Sequence, residues 1–183
     1  GGQALQMRRE PNAVGVATGG EFLVNTTTAG FQQNATVTSL SDGGFVVVWT
    51  SNDGYGLDVY GRRYNATGAA IGEEFLVNTT TETEYLPVVT GLSDGGFVVT
   101  WSGPRTDGRN AAFARRFGPS GVPAGPEFAV SPAFKRFPDW TKVASLSDGG
   151  FVVCWTIYLV EGTKRYEIGC QRNNSLGKKV GNP

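Results

Sequence analysis

The sequence predicts an all-β fold of three four-stranded antiparallel repeats, propeller-blade-like or trefoil-like, with an extra strand segment at the N-terminus. Two elements recur in register and support this fold class. The stretch "SLSDGGFVVVW" begins at residue 39 and returns in near copy at residues 91 and 145. The stretch "EFLVNTTT" begins at residue 21 and returns at residues 74 and 127. A period of about 50 residues, in a chain with 27 glycines, indicates tandem units of short strands and turns.

The first two strands of each repeat flank an Asp-Gly turn. The first strand is predicted over 34–41, 86–93 and 141–147. The Asp-Gly pair that follows is typical of a two-residue hairpin turn of type I′, which needs positive φ at both positions. The second strand, "FVVVW" in the first repeat, is apolar on both faces, so we expect a covered inner strand.

The third strand is predicted over 58–64, 111–117 and 166–173, and the "EFLVN" element forms the fourth. Turn-rich linkers such as "NATGAAIGE" join them. This organisation gives an N-terminal arm over 1–20 that resembles the third strand of a preceding repeat. The repeats then cover 21–73, 74–126 and 127–183, and the last of them lacks its fourth strand.

Aromatic residues recur in the second strand of every repeat, with Phe45 and Trp49 in the first copy. We expect them to pack between repeats, and a ligand-binding aromatic ladder is the alternative. The pattern "LSDGGFVVxW…EFLVN" resembles a tandem repeat common in large secreted and surface proteins of bacteria and some microbial eukaryotes. That resemblance implies propeller-type or rod-like extracellular modules with adhesive or structural roles.

Cys154 and Cys170 are the only cysteines. They align with Val48 and Gly61 in the first repeat and with Thr100 and Ala114 in the second, so both positions change together in one repeat. This coincidence predicts a disulfide between neighbouring strands, although two buried free thiols would also fit the spacing. A disulfide is typical of an oxidising compartment, so an extracellular or cell-surface protein is expected.

Residues able to perform catalysis are sparse. The chain has no histidine, which removes histidine-dependent nucleophilic catalysis and most zinc sites. No enzyme activity is therefore predicted. Calcium is the one candidate cofactor. Its ligands would be Asn52, Asp53 and Asp58 in a glycine-rich loop. Without a basic stripe or a long apolar run, neither a nucleic-acid partner nor a membrane span is expected.

Five sequons offer glycosylation sites, at Asn25, Asn34, Asn65, Asn78 and Asn173. Such a density is typical of a glycoprotein if the source glycosylates asparagine. Asparagine and threonine are also ordinary turn and edge-strand residues, so the pattern has a purely structural explanation as well.

The phase of the repeat suggests a function, because the chain ends one strand short and begins with an unpaired segment. An N-terminal segment that completes a neighbour's last repeat would build a head-to-tail homopolymer. We therefore predict an extracellular filament subunit. The contacts would be made by Leu5, Met7, Arg8, Arg9, Glu21, Phe22, Leu23 and Val24. Residues 1–134 carry a net charge of −4 (eight cations, twelve acids) and residues 135–183 a net charge of +4 (eight cations, four acids), which would favour such contact.

The alternative function is a carbohydrate-binding, lectin-like adhesion module with sites between repeats. It predicts saturable glycan binding that depends on Trp140 or Tyr55, two aromatic residues outside the repeated core.

Overall fold

The computed structural model of the chain describes residues 20–52, 56–80, 83–135, 138–158 and 166–181. Those residues contain strands and no helix, so none of them could form a membrane-crossing helix. The first sheet holds β1 (Phe31–Ser39), β2 (Phe45–Asn52), β3 (Leu57–Tyr64) and β4 (Ala70–Leu76). The second holds β5 (Tyr85–Gly91), β6 (Phe97–Pro104), β7 (Asn110–Phe117) and β8 (Phe128–Ala129). The third holds β9 (Asp139–Ser145), β10 (Phe151–Tyr158), β11 (Tyr166–Asn173) and β12 (Lys179–Val180). The predicted fold class is confirmed.

Each sheet is an antiparallel meander whose spatial order follows the chain order. We call the three sheets blades 1, 2 and 3. The first strands, β1, β5 and β9, lie beside one another, so they form the inner wall of the arc and the fourth strands form its outer rim. Radially stacked four-stranded meanders of this kind are the architecture of β-propellers.

The hairpin turn between the first two strands differs from the prediction. Only the glycine, Gly43 in blade 1, has a positive φ, of 82°. The amide of Gly43 donates to the carbonyl of Leu40, and the amide of Leu40 donates to the carbonyl of Gly44. This is a three-residue loop with a glycine bulge rather than a two-residue type I′ turn. Asp42 favours it because its carboxylate accepts the Gly44 amide at 3.0 Å.

An ion pair holds this turn to the third strand in every blade. Asp42 pairs with Arg63 in blade 1, and the same pairing recurs between aspartate and arginine in the other two blades. Hydrogen bonds from the Gly44 amide and the neighbouring Arg63 guanidinium hold the pKa of Asp42 below its usual range. In the third strands, the second arginine of Arg62-Arg63 and of Arg115-Arg116 and the single Arg172 therefore hold the turns.

Two apolar interfaces join the blades. The first packs small side chains of blade 1, among them Val46, Val48 and Val59, against the aromatic face of blade 2. The second repeats this between blades 2 and 3, where Phe151 and Trp155 cover Val98. In blades 2 and 3 the repeated aromatics pack between blades as predicted. In blade 1, Phe45 and Trp49 instead lie in a separate cluster with Tyr64 and Val24.

Blade 3 leaves open the face that is covered in the other two. Ile168 is 69% exposed, whereas its counterparts Val59 and Ala112 are fully buried. The predicted disulfide between Cys154 and Cys170 is confirmed, and it links directly opposed residues of β10 and β11 on this open face. By alignment with β4, the strand β12 corresponds only to the first two residues of a fourth strand.

Candidate functional site

All three inner strands contain a β-bulge at the same place. In blade 1, Asn34 and Ala35 stand opposite the single residue Trp49. The equivalent pairs of blades 2 and 3 stand opposite the equivalent tryptophans. A bulge bends its strand and re-aims side chains, and bulges are frequent beside active sites.

The first residue of each bulge has a left-handed backbone. The φ angles are 56° at Asn34, 52° at Leu86 and 49° at Trp140. Asparagine tolerates this conformation, but for a bulky side chain it is a genuine outlier, and the left-handed form costs roughly 1–2 kcal/mol per residue. Strain of this kind is frequent at ligand-binding sites. The left-handed backbone recurs in all three inner strands, so the surface that these strands share is a candidate binding site.

The bulges surround a cavity of about 180 Å³ at this end of the inner wall, which we call the axial cavity. Each blade contributes three consecutive residues to its lining: 34–36, 86–88 and 140–142. The Thr36 hydroxyl donates to the carbonyl of Pro87 at 3.2 Å and so ties the lining of blade 1 to that of blade 2.

The lining is chemically asymmetric although the backbone repeats. Blade 1 offers the amide of Asn34 and the hydroxyl of Thr36, and blade 2 offers mainly aliphatic side chains. Blade 3 places Trp140 at the bulge, where it is 63% exposed, with Lys142 two residues further on. Apolar walls with a few polar groups and an aromatic surface are typical of small-ligand sites.

A buried carboxyl group lies near the start of the second inner strand. Glu84 is 1% exposed, its Oε1 accepts a hydrogen bond from the Thr80 hydroxyl, and its Oε2 has no partner. Burial raises the pKa of Glu84 to about 8 against the opposing effect of hydrogen bonds from Thr80 and Trp101. The negative charges of Glu127 and Asp58 raise it further. The group is therefore largely protonated at neutral pH.

The residues equivalent to Glu84 in the other two blades indicate the role of this position. Its counterpart in blade 1 is Gln32, whose Oε1 accepts a hydrogen bond from the indole of Trp49 at 2.9 Å. In blade 3 the counterpart is Pro138, and the indole nitrogen of Trp155 is buried without a partner. The position therefore accepts a hydrogen bond from the second-strand tryptophan in blades 1 and 2, whereas the proline of blade 3 offers no side-chain acceptor.

A larger open cavity of about 500 Å³ lies at the other end of the inner strands. Its lining consists mostly of serine, threonine and leucine residues that precede the three hairpin turns. It offers hydroxyl groups but neither an aromatic surface nor a charged side chain. The axial cavity is the richer candidate.

The predicted subunit-contact residues fall into two groups. Leu5, Met7, Arg8 and Arg9 lie outside the described residues. Glu21, Phe22, Leu23 and Val24 are described, and residues 20–30 contain no strand. The ring of Phe22 lies 5.3 Å from that of Tyr64, and the carbonyl of Val24 accepts from Arg62 at 2.9 Å.

These contacts copy those of the next element along the chain. The ring of Phe75 lies 5.3 Å from that of Phe117, and the carbonyl of Val77 accepts from Arg115 at 2.8 Å. Phe22 and Val24 therefore pack on blade 1 of their own chain, where the prediction had them join a neighbouring subunit.

The predicted glycosylation sites differ in accessibility. Asn34 is exposed, and Asn25 and Asn65 are partly exposed. Asn78 and Asn173 are 1% and 0% exposed. The Asn78 side chain accepts the amide of Val59 at 2.8 Å and donates to Asp58 at 2.8 Å. A glycan at either buried asparagine would require that side chain to leave the folded structure.

Two of the three predicted calcium ligands, Asn52 and Asp58, lie in the described residues. Asp53 lies outside the described residues, as does Tyr55. Asn52 ends β2, and Asp58 is engaged by Asn78. Within the described ranges, no group of three or more acidic, histidine or cysteine side chains could hold a metal ion. The calcium site stays a prediction.

The residues of the axial cavity were mostly not anticipated from the sequence. The sequence indicates Trp140 as an aromatic residue outside the repeated core, but it does not place Asn34, Thr36 and Lys142 in a ligand-binding site or Glu84 in the core. Alignment of the repeats gives no signal here, because Asn34, Leu86 and Trp140 all differ, as do Thr36, Val88 and Lys142.

Comparison with solved structures identifies the architecture as that of a β-propeller-type protein. The endo-arabinase from Bacteroides thetaiotaomicron VPI-5482 matches with a TM-score of 0.60 at 14% identity, over 87% of this chain and 64% of that one. The GH43 endo-arabinanase from Bacillus licheniformis matches at 0.48 and 14% identity, over 80% of this chain and 56% of that one. The chain thus spans less than two thirds of either protein. No protein-family model and no curated protein matches the sequence.

The first of these likenesses corrects two predictions. The blades of this chain take the fold of a carbohydrate-active enzyme, which contradicts the prediction of a structural filament subunit and the prediction that the chain is not an enzyme. At 14% identity the likeness establishes the fold alone. The contacts of Phe22 and Val24 with blade 1 of their own chain give a physical reason for the correction, since these two residues are not unpaired as the filament mechanism requires.

Proposed function

We propose that this chain is a propeller-type segment of a carbohydrate-active protein and that it binds a glycan in the axial cavity. The observation that carries the proposal is Trp140, an indole 63% exposed on a strained bulge beside a cavity. Exposed aromatic rings offer a flat apolar face to a sugar ring, and neighbouring polar groups hydrogen-bond its hydroxyls.

The chemistry of the lining supports a sugar ligand. The amide of Asn34 both donates and accepts, the Lys142 ammonium donates, and the hydroxyl of Thr36 accepts while it donates to Pro87. The volume of about 180 Å³ is below the roughly 300–1,000 Å³ of sites for drug-sized ligands. It suits one sugar residue of a longer chain that continues across the open surface.

The fold likeness supports the carbohydrate-active class, because the endo-arabinase is named for a polysaccharide substrate. The disulfide supports a secreted or surface protein. We also propose that the blades belong to the tandem repeats of secreted and surface proteins that the "LSDGGFVVxW…EFLVN" pattern resembles.

The test is binding to a panel of arabino-oligosaccharides and other plant-type oligosaccharides, followed by NMR or calorimetry. We expect saturable binding that Trp140→Ala abolishes. Tyr166→Ala is the matched control, since Tyr166 is 55% exposed on β11 and does not line the axial cavity. Equal loss in both variants, or binding unaffected by Trp140→Ala, would show that the axial cavity is not the site.

A second readout on the same samples addresses catalysis. Release of new reducing ends from the polysaccharide would show that the protein hydrolyses what it binds. Binding to no member of the panel would refute the carbohydrate-active assignment.

A further inference from the structure

The axial cavity contains one charged side chain in its lining, Lys142. Lys142 stands opposite Cys154 in the sheet, and its counterparts are Thr36, opposite Val48, and Val88, opposite Thr100. The cation is therefore particular to blade 3. It lies two residues from Trp140, which replaces the Asn34 and Leu86 of the other blades.

This arrangement divides the cavity into three chemical parts. Blade 3 supplies an aromatic face and a cation, blade 1 supplies the neutral polar groups of Asn34 and Thr36, and blade 2 supplies the apolar wall of Leu86, Pro87 and Val88. A ligand that satisfies all three has a ring to stack, hydroxyls to hydrogen-bond and an anionic group that meets the ammonium. Beside an apolar wall, the attraction between the ammonium and an anion is stronger than in bulk water.

The charge distribution along the chain also favours an anionic ligand near blade 3. Residues 135–183, which contain blade 3, carry a net charge of +4 from eight cations and four acids. A surface with an excess of one charge attracts ligands of the opposite sign and raises their local concentration. An anionic polymer would approach blade 3 more readily than the other two blades.

We propose that the axial cavity selects an acidic glycan, a chain bearing uronic-acid carboxylates, with the carboxylate paired to Lys142 and the sugar ring on Trp140. This inference rests on the proposed function and adds the substrate class. Lys142 is the specificity-determining residue, while Trp140 contributes to binding of any sugar.

The experiment compares a trigalacturonide with neutral arabinotriose, titrated into the protein by NMR at low salt and at about 0.5 M salt. The unmodified protein is expected to bind the trigalacturonide about fivefold tighter, the effect of a favourable exposed ion pair. Lys142→Gln should abolish that preference, and Lys142→Arg should retain it. Lys178→Gln removes an exposed lysine outside the axial cavity and should leave the preference unchanged.

The outcomes separate the inference from the function on which it rests. Salt-sensitive preference for the trigalacturonide that only Lys142→Gln removes supports the inference. Equal binding of both trisaccharides, lost in Trp140→Ala, overturns the acidic preference and leaves the proposed function standing. A preference that survives Lys142→Gln overturns the role of Lys142. Binding of neither trisaccharide, and of no other glycan, overturns both.

Discussion

Replacing Glu84 by glutamine tests the burial of this carboxyl group through the pH dependence of stability. Burial raises the pKa of Glu84 from 4.5 to about 8, and the unfolded chain restores the ordinary value. Below pH 4.5 both states hold the proton. Between pH 4.5 and 8 only the folded state holds it, so the free energy of unfolding falls as pH rises, and above pH 8 the loss is complete.

The magnitude follows from the separation of the two pKa values. Each pH unit costs about 1.4 kcal/mol, so a gap of roughly 3.5 units costs about 5 kcal/mol in total, as an upper bound. Glutamine carries no titratable proton, and the chain already shows that it fits, because Gln32 accepts from Trp49 at the same position of blade 1. Glu84→Gln should therefore remove this contribution to the pH dependence, so its stability relative to the unmodified protein should increase with each unit between pH 4.5 and 8 and stay constant above pH 8.

The assay is urea unfolding of both proteins at intervals from about pH 4 to pH 9, with the free energy of unfolding extrapolated to water. Glu167→Gln is the matched control, since it makes the same substitution at an exposed glutamate of β11. Parallel curves for Glu84→Gln and the unmodified protein would refute the reasoning, because they would mean that Glu84 ionises equally in both states.

Three further predictions concern the packing of the blades. Pro138→Gln should stabilise the fold by about 1 kcal/mol, because it offers an acceptor to the unpartnered indole of Trp155; thermal unfolding checks this, and an unchanged or lower midpoint contradicts it. Ile168→Lys should change the free energy of unfolding by no more than about 0.5 kcal/mol. Ala112→Lys, at the buried equivalent position, should prevent folding or cost several kcal/mol. Equal costs of the two substitutions would mean that this face of blade 3 is covered. Replacing Cys154 and Cys170 together by serine should cost about 3 kcal/mol in the loop-entropy model; urea unfolding of the double variant measures it, and no loss would show that the bond does not constrain the unfolded chain.

Much of the blade could be predicted because its signals are local. Apolar runs, Asp-Gly turns and the repeat period depend on neighbouring residues, so they give the first residue of β2, β6 and β10, although each strand runs three residues beyond its predicted end. The disulfide was accessible for a related reason, since aligned repeats show that positions 154 and 170 change together. The turn type was missed because Asp42 binds the Gly44 amide through its side chain, an interaction that the Asp-Gly pair alone does not specify.

The contacts of the N-terminal element were harder to foresee. Alignment correctly equated Phe22 with Phe75, but it does not say what either ring touches. In the structure both rings pack on the aromatic face of the following blade of the same chain. The filament hypothesis treated the segment as unpaired because its partner surface is built from strands far along the sequence.

The sequence by itself determined the repeat period, the approximate positions of the first three strands of each repeat and the pair of cysteines, but not the fourth strands, since the first "EFLVN" copy forms no strand and β4 begins at Ala70 in the predicted linker. The tertiary structure decided which strands face the axis, that three non-glycine residues there adopt left-handed backbone, and that Glu84 is buried while Trp140 is exposed. Periodicity and turn chemistry depend on residues that are near neighbours in the chain, so short segments of the sequence are enough to predict them. Burial, strain and cavity shape arise only where residues about 50 positions apart meet. The equivalent residues Asn34, Leu86 and Trp140 share no chemical type, so the sequence does not predict the cavity that they line.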